Sequence, residues 1–146
     1  MFKFKLDPLL NHRKHLEDDC QKVLAALRET LAREADTLER LQRQRSEQEN
    51  TLRRFKAGRP DIAGIVSSMA FIHRLDAAID RQQTKVAEAR KACENQRCEL
   101  VQAMKGRKII EKLKEKGLAD HRHEEARTEQ IFMNEIAINR FTRNNR

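Results

Sequence analysis

Ala57-Gly58-Arg59-Pro60-Asp61 is the one strong interruption in a chain that otherwise reads as helix, and what lies on either side of it decides the fold. Gly58 can turn the backbone out of a helix, and Pro60 has no N–H to donate to a continuing helical ladder. Asp61 can then cap a second helix. The stretch is too short to be anything but a tight connection between two long elements.

Upstream of the break, stepping from Leu6 by alternate fours and threes gives Leu6, Leu10, Arg13, Glu17, Cys20, Leu24, Leu27, Leu31, Glu34, Leu38, Leu41, Arg45, Gln48, Leu52 and Phe55. Ten of these fifteen are apolar. A stripe with a 3.5-residue period held over about seven heptads is a coiled-coil seam. At its start, Asp7 followed by Pro8 reads as the N-cap and first position of the helix. Downstream, the same stepping gives Ile65, Ser68, Ile72, Leu75, Ile79, Gln82, Val86, Ala89, Cys93, Gln96, Leu100, Ala103, Arg107 and Ile110, again ten apolar positions.

Two such helices joined by a short break must run antiparallel, so the numbers of facing residues sum to a near constant. A sum of 116 to 117 pairs Leu52 with Ile65, Leu41 with Leu75, Leu38 with Ile79, Leu31 with Val86, Leu27 with Ala89 and Leu24 with Cys93. The same sum sets Glu34 against Gln82 and Gln48 against Ser68, so polar intrusions meet each other and not leucines. Polar seam residues cost stability and fix register. The expected fold is therefore all-α, a long two-helix antiparallel coiled coil in one domain over residues 1–146. Helix one spans about 7–56 and the turn about 57–61. Helix two spans about 62–142 and overhangs. Beyond about Lys116 helix two has no partner in this chain, and Gly117 reads as a bend. The apolar cluster Ile131, Phe132, Met133, Ile136, Ile138 and Phe141 lies in that overhang.

Composition agrees with long helices. Charged residues make up 37% of the 146 and aromatics 4%, with no Trp or Tyr, which leaves little for a globular core. Three cysteines, Cys20, Cys93 and Cys98, are too few and oddly numbered for a disulfide scaffold, so a reducing compartment is expected. Lys3, Lys5 and Asp7 break up the apolar residues of the opening stretch, which does not resemble a signal peptide. The expected location is the cytoplasm. A formal net charge of +8 calls for an acidic partner without saying which.

Chemistry of the chain's own is not expected. Cys93 and Cys98 differ by about 140° around a helix and His121 and His123 by about 200°, so neither pair converges on a metal ion. No nucleophile elbow, Gly-rich phosphate loop or spaced carboxylate pair is present, and a pair of helices lacks the concavity of a small-molecule site. No cofactor and no small-molecule substrate are expected.

The run from Lys105 to Lys116 holds basic residues at Lys105, Arg107, Lys108, Lys112, Lys114 and Lys116, against Glu111 and Glu115. Lys105, Lys112 and Lys116 fall about 200° from the seam and face outward. Arg13 and Lys14 of helix one lie near this run in the antiparallel register. No aromatic residues interleave with the basic ones for base stacking, which argues against nucleic acid as the ligand. Phe71 lies off the seam, where one partner helix cannot cover it fully. Exposed aromatics are favoured anchors in protein contacts.

Phe2-Lys3-Phe4-Lys5-Leu6, Leu9-Leu10, Arg13-Lys14 and Glu17 resemble the opening of the flagellar export protein FliJ family, relatives of the injectisome YscO proteins. Arg107-Lys108-x-x-Glu111-Lys112-Leu113-Lys114-Glu115-Lys116, with Glu129-Gln130 and Asn134-Glu135 beyond it, is similar to that family's C-terminal signature. The resemblance implies an antiparallel coiled coil like the central stalk subunit of rotary ATPases. It implies as partners the hexameric export ATPase, the cytoplasmic domain of the export-gate membrane protein and export chaperones. By this likeness the gate-binding positions fall on Leu41, Phe71, Leu75 and Ala78. Thr37, Gln44, Gln48 and Gln82 stand where some members carry other residues. The basic end, with Arg13, Lys14, Lys105, Lys108, Lys112 and Lys116, would enter the ATPase ring. The protein would then sit at the cytoplasmic face of the inner membrane, attached through the export apparatus. The other expectations are a basic coiled-coil adaptor of a virulence type III secretion system and, further off, a nucleic-acid-binding coiled coil.

Overall fold

The structure is a computed structural model that describes residues 2–144. Two helices account for almost all of them: α1, Asp7–Lys56, and α2, Ile62–Asn144. They pack against each other as a helical hairpin.

The connection works as its residues require. Gly58 takes φ +70°, the left-handed value that ends a helix without a Cβ penalty. The Asp61 N–H then donates back to the Phe55 carbonyl at 3.2 Å. The Asp61 carbonyl accepts the first bond of α2 from Ile65 at 2.9 Å, and Oδ1 of Asp61 accepts from the Gly64 N–H at 3.2 Å. The Asp61 side chain thus satisfies one of the donors, the Gly64 N–H, that a bare helix start leaves orphaned.

At the other end the cap differs from the sequence reading by one position. The first α1 bond runs from the Leu10 N–H to the Leu6 carbonyl at 2.9 Å, so Leu6 is the capping residue and Asp7 is already helical. Asp7 spends its carboxylate elsewhere, on Lys114 at 2.7 Å.

The helices form two compact units, residues 19–101 and residues 1–18 with 102–146. In the first unit the register is fixed by three hydrogen bonds whose position numbers each sum to 116. Gln48 Nε2 donates to Ser68 Oγ at 3.0 Å, Gln82 Nε2 to the Glu34 carbonyl at 2.9 Å, and Gln96 Nε2 to the Cys20 carbonyl at 3.3 Å. Between these rungs Leu24, Leu75, Ile79 and Val86 are buried. The polar seam residues Ser68 and Gln82 are as well covered as the leucines, which is tolerable only because each is paired.

In the second unit Leu10 and Glu17 are buried. Arg107 Nε donates to Glu17 Oε2 at 2.5 Å, and Nη1 reaches Glu111 at 2.6 Å. Side chains on a helix lean toward its N-terminus. In an antiparallel pair Glu17 and Arg107 therefore lean toward each other, which lets residues two turns out of level meet. Two expected seam residues fail here: Leu6 is 39% exposed and Arg13 is exposed.

The expectation that α2 has no partner beyond Lys116 needs correction. Phe2 packs on Gly117 and His121, its ring 5.6 Å from the imidazole. A Cβ on Gly117 would lie 3.1 Å from Phe2 Cζ, so this glycine makes room for an aromatic ring. Gly117 lies inside continuous helix, where neighbouring turns hold its backbone and its missing side chain is what matters. Phe4 stacks near Phe2 at 6.4 Å, and Lys114 Nζ stands 5.8 Å over the Phe4 ring. From Arg122 to Arg143 every residue but Ile136 is exposed.

Candidate partner-binding surfaces

The basic run of α2 divides into residues that hold the hairpin and residues that do not. Arg107 is committed to Glu17 and Glu111, and Lys114 to Asp7. The hydrogen bond to Glu17, and then that to Glu111, hold the Arg107 guanidinium above the ordinary arginine pKa. Lys105, Lys108, Lys112 and Lys116 are exposed, as are Arg13 and Lys14 of α1. Among the described residues none of these six has a carboxylate within 4 Å. The Arg13 side chain lies along Gly106, its Nη1 3.4 Å from where a Cβ would stand. Lys105, Lys108, Lys112 and Lys116 recur at helical spacing and give one face of α2 a cluster of unneutralised cations. Such a face attracts an acidic surface, and the attraction weakens with salt.

The second group of residues lies in the unit spanning 19–101. Phe71 is 41% exposed, while Leu41 and Ala78 are half-buried. Leu75, 6% exposed, belongs to the seam, so it can support Phe71 from below but offers little surface of its own. Nearby, Arg45 Nε donates to Asp76 Oδ1 at 2.5 Å and Nη1 to Glu49 at 2.6 Å. The bond to Asp76 is the main cause of the raised Arg45 pKa. This bridge ties α1 to α2 on the other flank of the seam, Asp76 lying about 140° around the helix from Phe71.

The three cysteines are free thiols, Cys20 and Cys93 half-buried and Cys98 exposed. Among the described residues no three His, Cys, Asp or Glu side chains gather where a metal could be held. His121 Nε2 lies 3.1 Å from Glu125 Oε1, off the line a hydrogen bond needs.

What the sequence reading missed is the use of the opening residues. Phe2 and Phe4 at i and i+2 flank Lys3, and the glycine that receives Phe2 lies 115 positions on. The only signal was a pair of aromatics in a chain with six, too little to name their seat.

The fold is a hairpin of two helices with charged, exposed flanks and polar rungs across its seam. The chain belongs to the family described as Flagellar FliJ protein, which matches residues 2–146. It is accordingly a component of type III protein export. Among solved structures it is similar to a YscO homologue, CT670, from Chlamydia trachomatis. The TM-score is 0.59 at 22% identity, covering 94% of this chain and 93% of that one. At that identity the likeness speaks for the fold alone. No curated protein matches significantly.

Proposed function

We propose that this protein is the stalk-like component of the flagellar type III export apparatus, inserting into the export ATPase ring and coupling it to the export gate. The observation that carries the reading is the division of labour in the basic run. Arg107 and Lys114 are spent on the hairpin, while Arg13, Lys14, Lys105, Lys108, Lys112 and Lys116 stand exposed without acidic neighbours. Cations left unpaired on a surface are available to an acidic partner lining a ring.

The gate contact falls on Phe71, with Leu41 and Ala78 beside it and Leu75 beneath. An aromatic anchor on a supported base is the pattern of an interface hot spot. Export chaperones are further partners, and the exposed stretch of α2 beyond Arg122 offers them room. The protein then resides at the cytoplasmic face of the inner membrane through these contacts.

Adding the chain to the cognate export ATPase should raise ATP turnover. Reversing Lys105, Lys112 and Lys116 to Glu should remove most of that rise and leave helicity unchanged by circular dichroism. Absence of any effect on ring assembly or turnover by the native chain refutes the stalk. Phe71→Ala should weaken capture by the gate's cytoplasmic domain with little change in Tm.

A further inference from the structure

The residues around the turn carry a second surface that the export reading does not use. Ile62, Val66 and Met69 are 74%, 62% and 53% exposed. At i, i+4 and i+7 they share one face of α2. Phe71 lies about 180° around the helix from Ile62, so the two surfaces are separate.

At the same end stand Arg53, Arg54 and Lys56 in the last turn of α1 and Arg59 in the connection, all exposed. Among the described residues none of the four has a carboxylate within 4 Å. Asp61 is the only acid between Thr51 and Leu75, and its carboxylate is occupied in capping α2. The turn end is therefore an apolar tip with an uncompensated cationic collar.

An 18-residue window of α2 reaches a mean hydropathy of 1.4, with no more than two charged residues. Between Ile62 and Ile79 the only charges are Arg74 and Asp76. That stretch is apolar on two sides. One side, with Ser68, Leu75 and Ile79, is buried in the seam, and Asp76 is tied to Arg45. The seam commitment rules out a role as a membrane span, because crossing would tear α2 from α1. The other side is surplus to the fold.

We propose that the turn end is a docking tip for an anionic lipid bilayer, with Ile62, Val66 and Met69 entering the interface and Arg53, Arg54, Lys56 and Arg59 meeting the headgroups. Apolar side chains over half exposed project outward, and a bilayer receives such a tip without needing a matched groove. A collar of basic side chains at the depth of the headgroups adds the electrostatic half of the affinity. The inference stands independently of the stalk reading, since it uses neither the Phe71 face nor the Lys105–Lys116 run.

The test uses the full chain and vesicles of phosphatidylglycerol with phosphatidylcholine, against phosphatidylcholine alone. In flotation the native chain should bind the anionic vesicles and not the neutral ones. Arg53→Gln with Arg59→Gln should weaken binding on the order of 25-fold, about fivefold per cation. Lys85→Gln with Lys91→Gln, exposed cations away from the turn, should change it little. The chain has no tryptophan, so Val66→Trp reports on the tip alone, and its emission should shift to the blue on anionic vesicles. No flotation, equal losses from the two double variants, or an unshifted Val66→Trp emission overturns the proposal. A blue shift with polyglutamate and none with vesicles assigns the tip to an acidic protein instead. Retained ATPase stimulation by the Arg53→Gln, Arg59→Gln chain separates this outcome from that of the stalk.

Discussion

The stretch of α2 from Ser68 to Gln96 and the stretch from Arg122 to Arg143 are one helix of similar residues in two different physical states. In the first, every seam residue is covered by α1, and glutamines reach across as rungs. In the second, every residue but Ile136 is exposed, with Ile131, Phe132, Met133, Ile138 and Phe141 at 51% to 68%. Helical backbone is common to both, so the backbone does not make the difference. Most helical stability in water comes from packing an apolar face, which the later stretch does not do within this chain. Its helix is held by propensity and by weak exposed pairs such as Arg127 with Glu124 at 3.9 Å.

Amide exchange should separate the two stretches most sharply. Amides from Ser68 to Gln96 should exchange on the order of a hundredfold or more slowly than those from Arg122 to Arg143, because local opening of the latter breaks no seam. Equal protection would mean that the later stretch has found a partner, most simply a second copy of the chain.

A pair of truncations gives the next largest effect. Leu24→Ala, at a position 5% exposed, should cost about 2–4 kcal/mol of unfolding free energy. Ile138→Ala, at 62% exposed, should stay within about 0.5 kcal/mol. Urea titration followed by circular dichroism measures both, and similar costs would erase the distinction between the stretches.

Arg107→Gln should lower Tm by less than Leu24→Ala, since it strands the Glu17 carboxylate without its cation but opens no cavity. Salt should narrow the gap between native and variant Tm, because part of what is lost is Coulombic. The pH dependence follows from the direction of the shift. A basic group whose pKa is raised on folding adds stability that is complete below its unfolded pKa and lost as pH rises through the folded one. For arginine that window lies at strongly alkaline pH, so the Arg107 contribution should be level between about pH 6 and 9.

Gly117→Ala is the smallest and most local change. Helix propensity alone favours alanine by up to about 1 kcal/mol. The new Cβ, 3.1 Å from Phe2 Cζ, should push the ring off its seat. The His121 ring protons should then lose the upfield shift that Phe2 imposes, read by NMR, while Tm moves little. An unmoved His121 spectrum would show that Phe2 does not rest there.

Periodicity alone determined that there are two helices, that they meet along one stripe each, and where the chain reverses. These follow because 3.5-residue spacing and a Gly-x-Pro-Asp break are local facts, carried by residues within a turn or two of each other. Pairing polar with polar also determined the register, and Gln48 with Ser68 and Glu34 with Gln82 meet as that logic requires. The exposure of Lys105, Lys112 and Lys116 was readable from angle alone.

Only tertiary structure decided which charges are spent inside the molecule. Periodicity set Arg107 on the seam and Lys108 off it, but not that Arg107 reaches Glu17 two turns out of level, which depends on how side chains lean across the seam. The seat of Phe2 on Gly117 belongs to the same category. It joins residues 115 positions apart with no shared local pattern, so no window of sequence contains both halves of the contact.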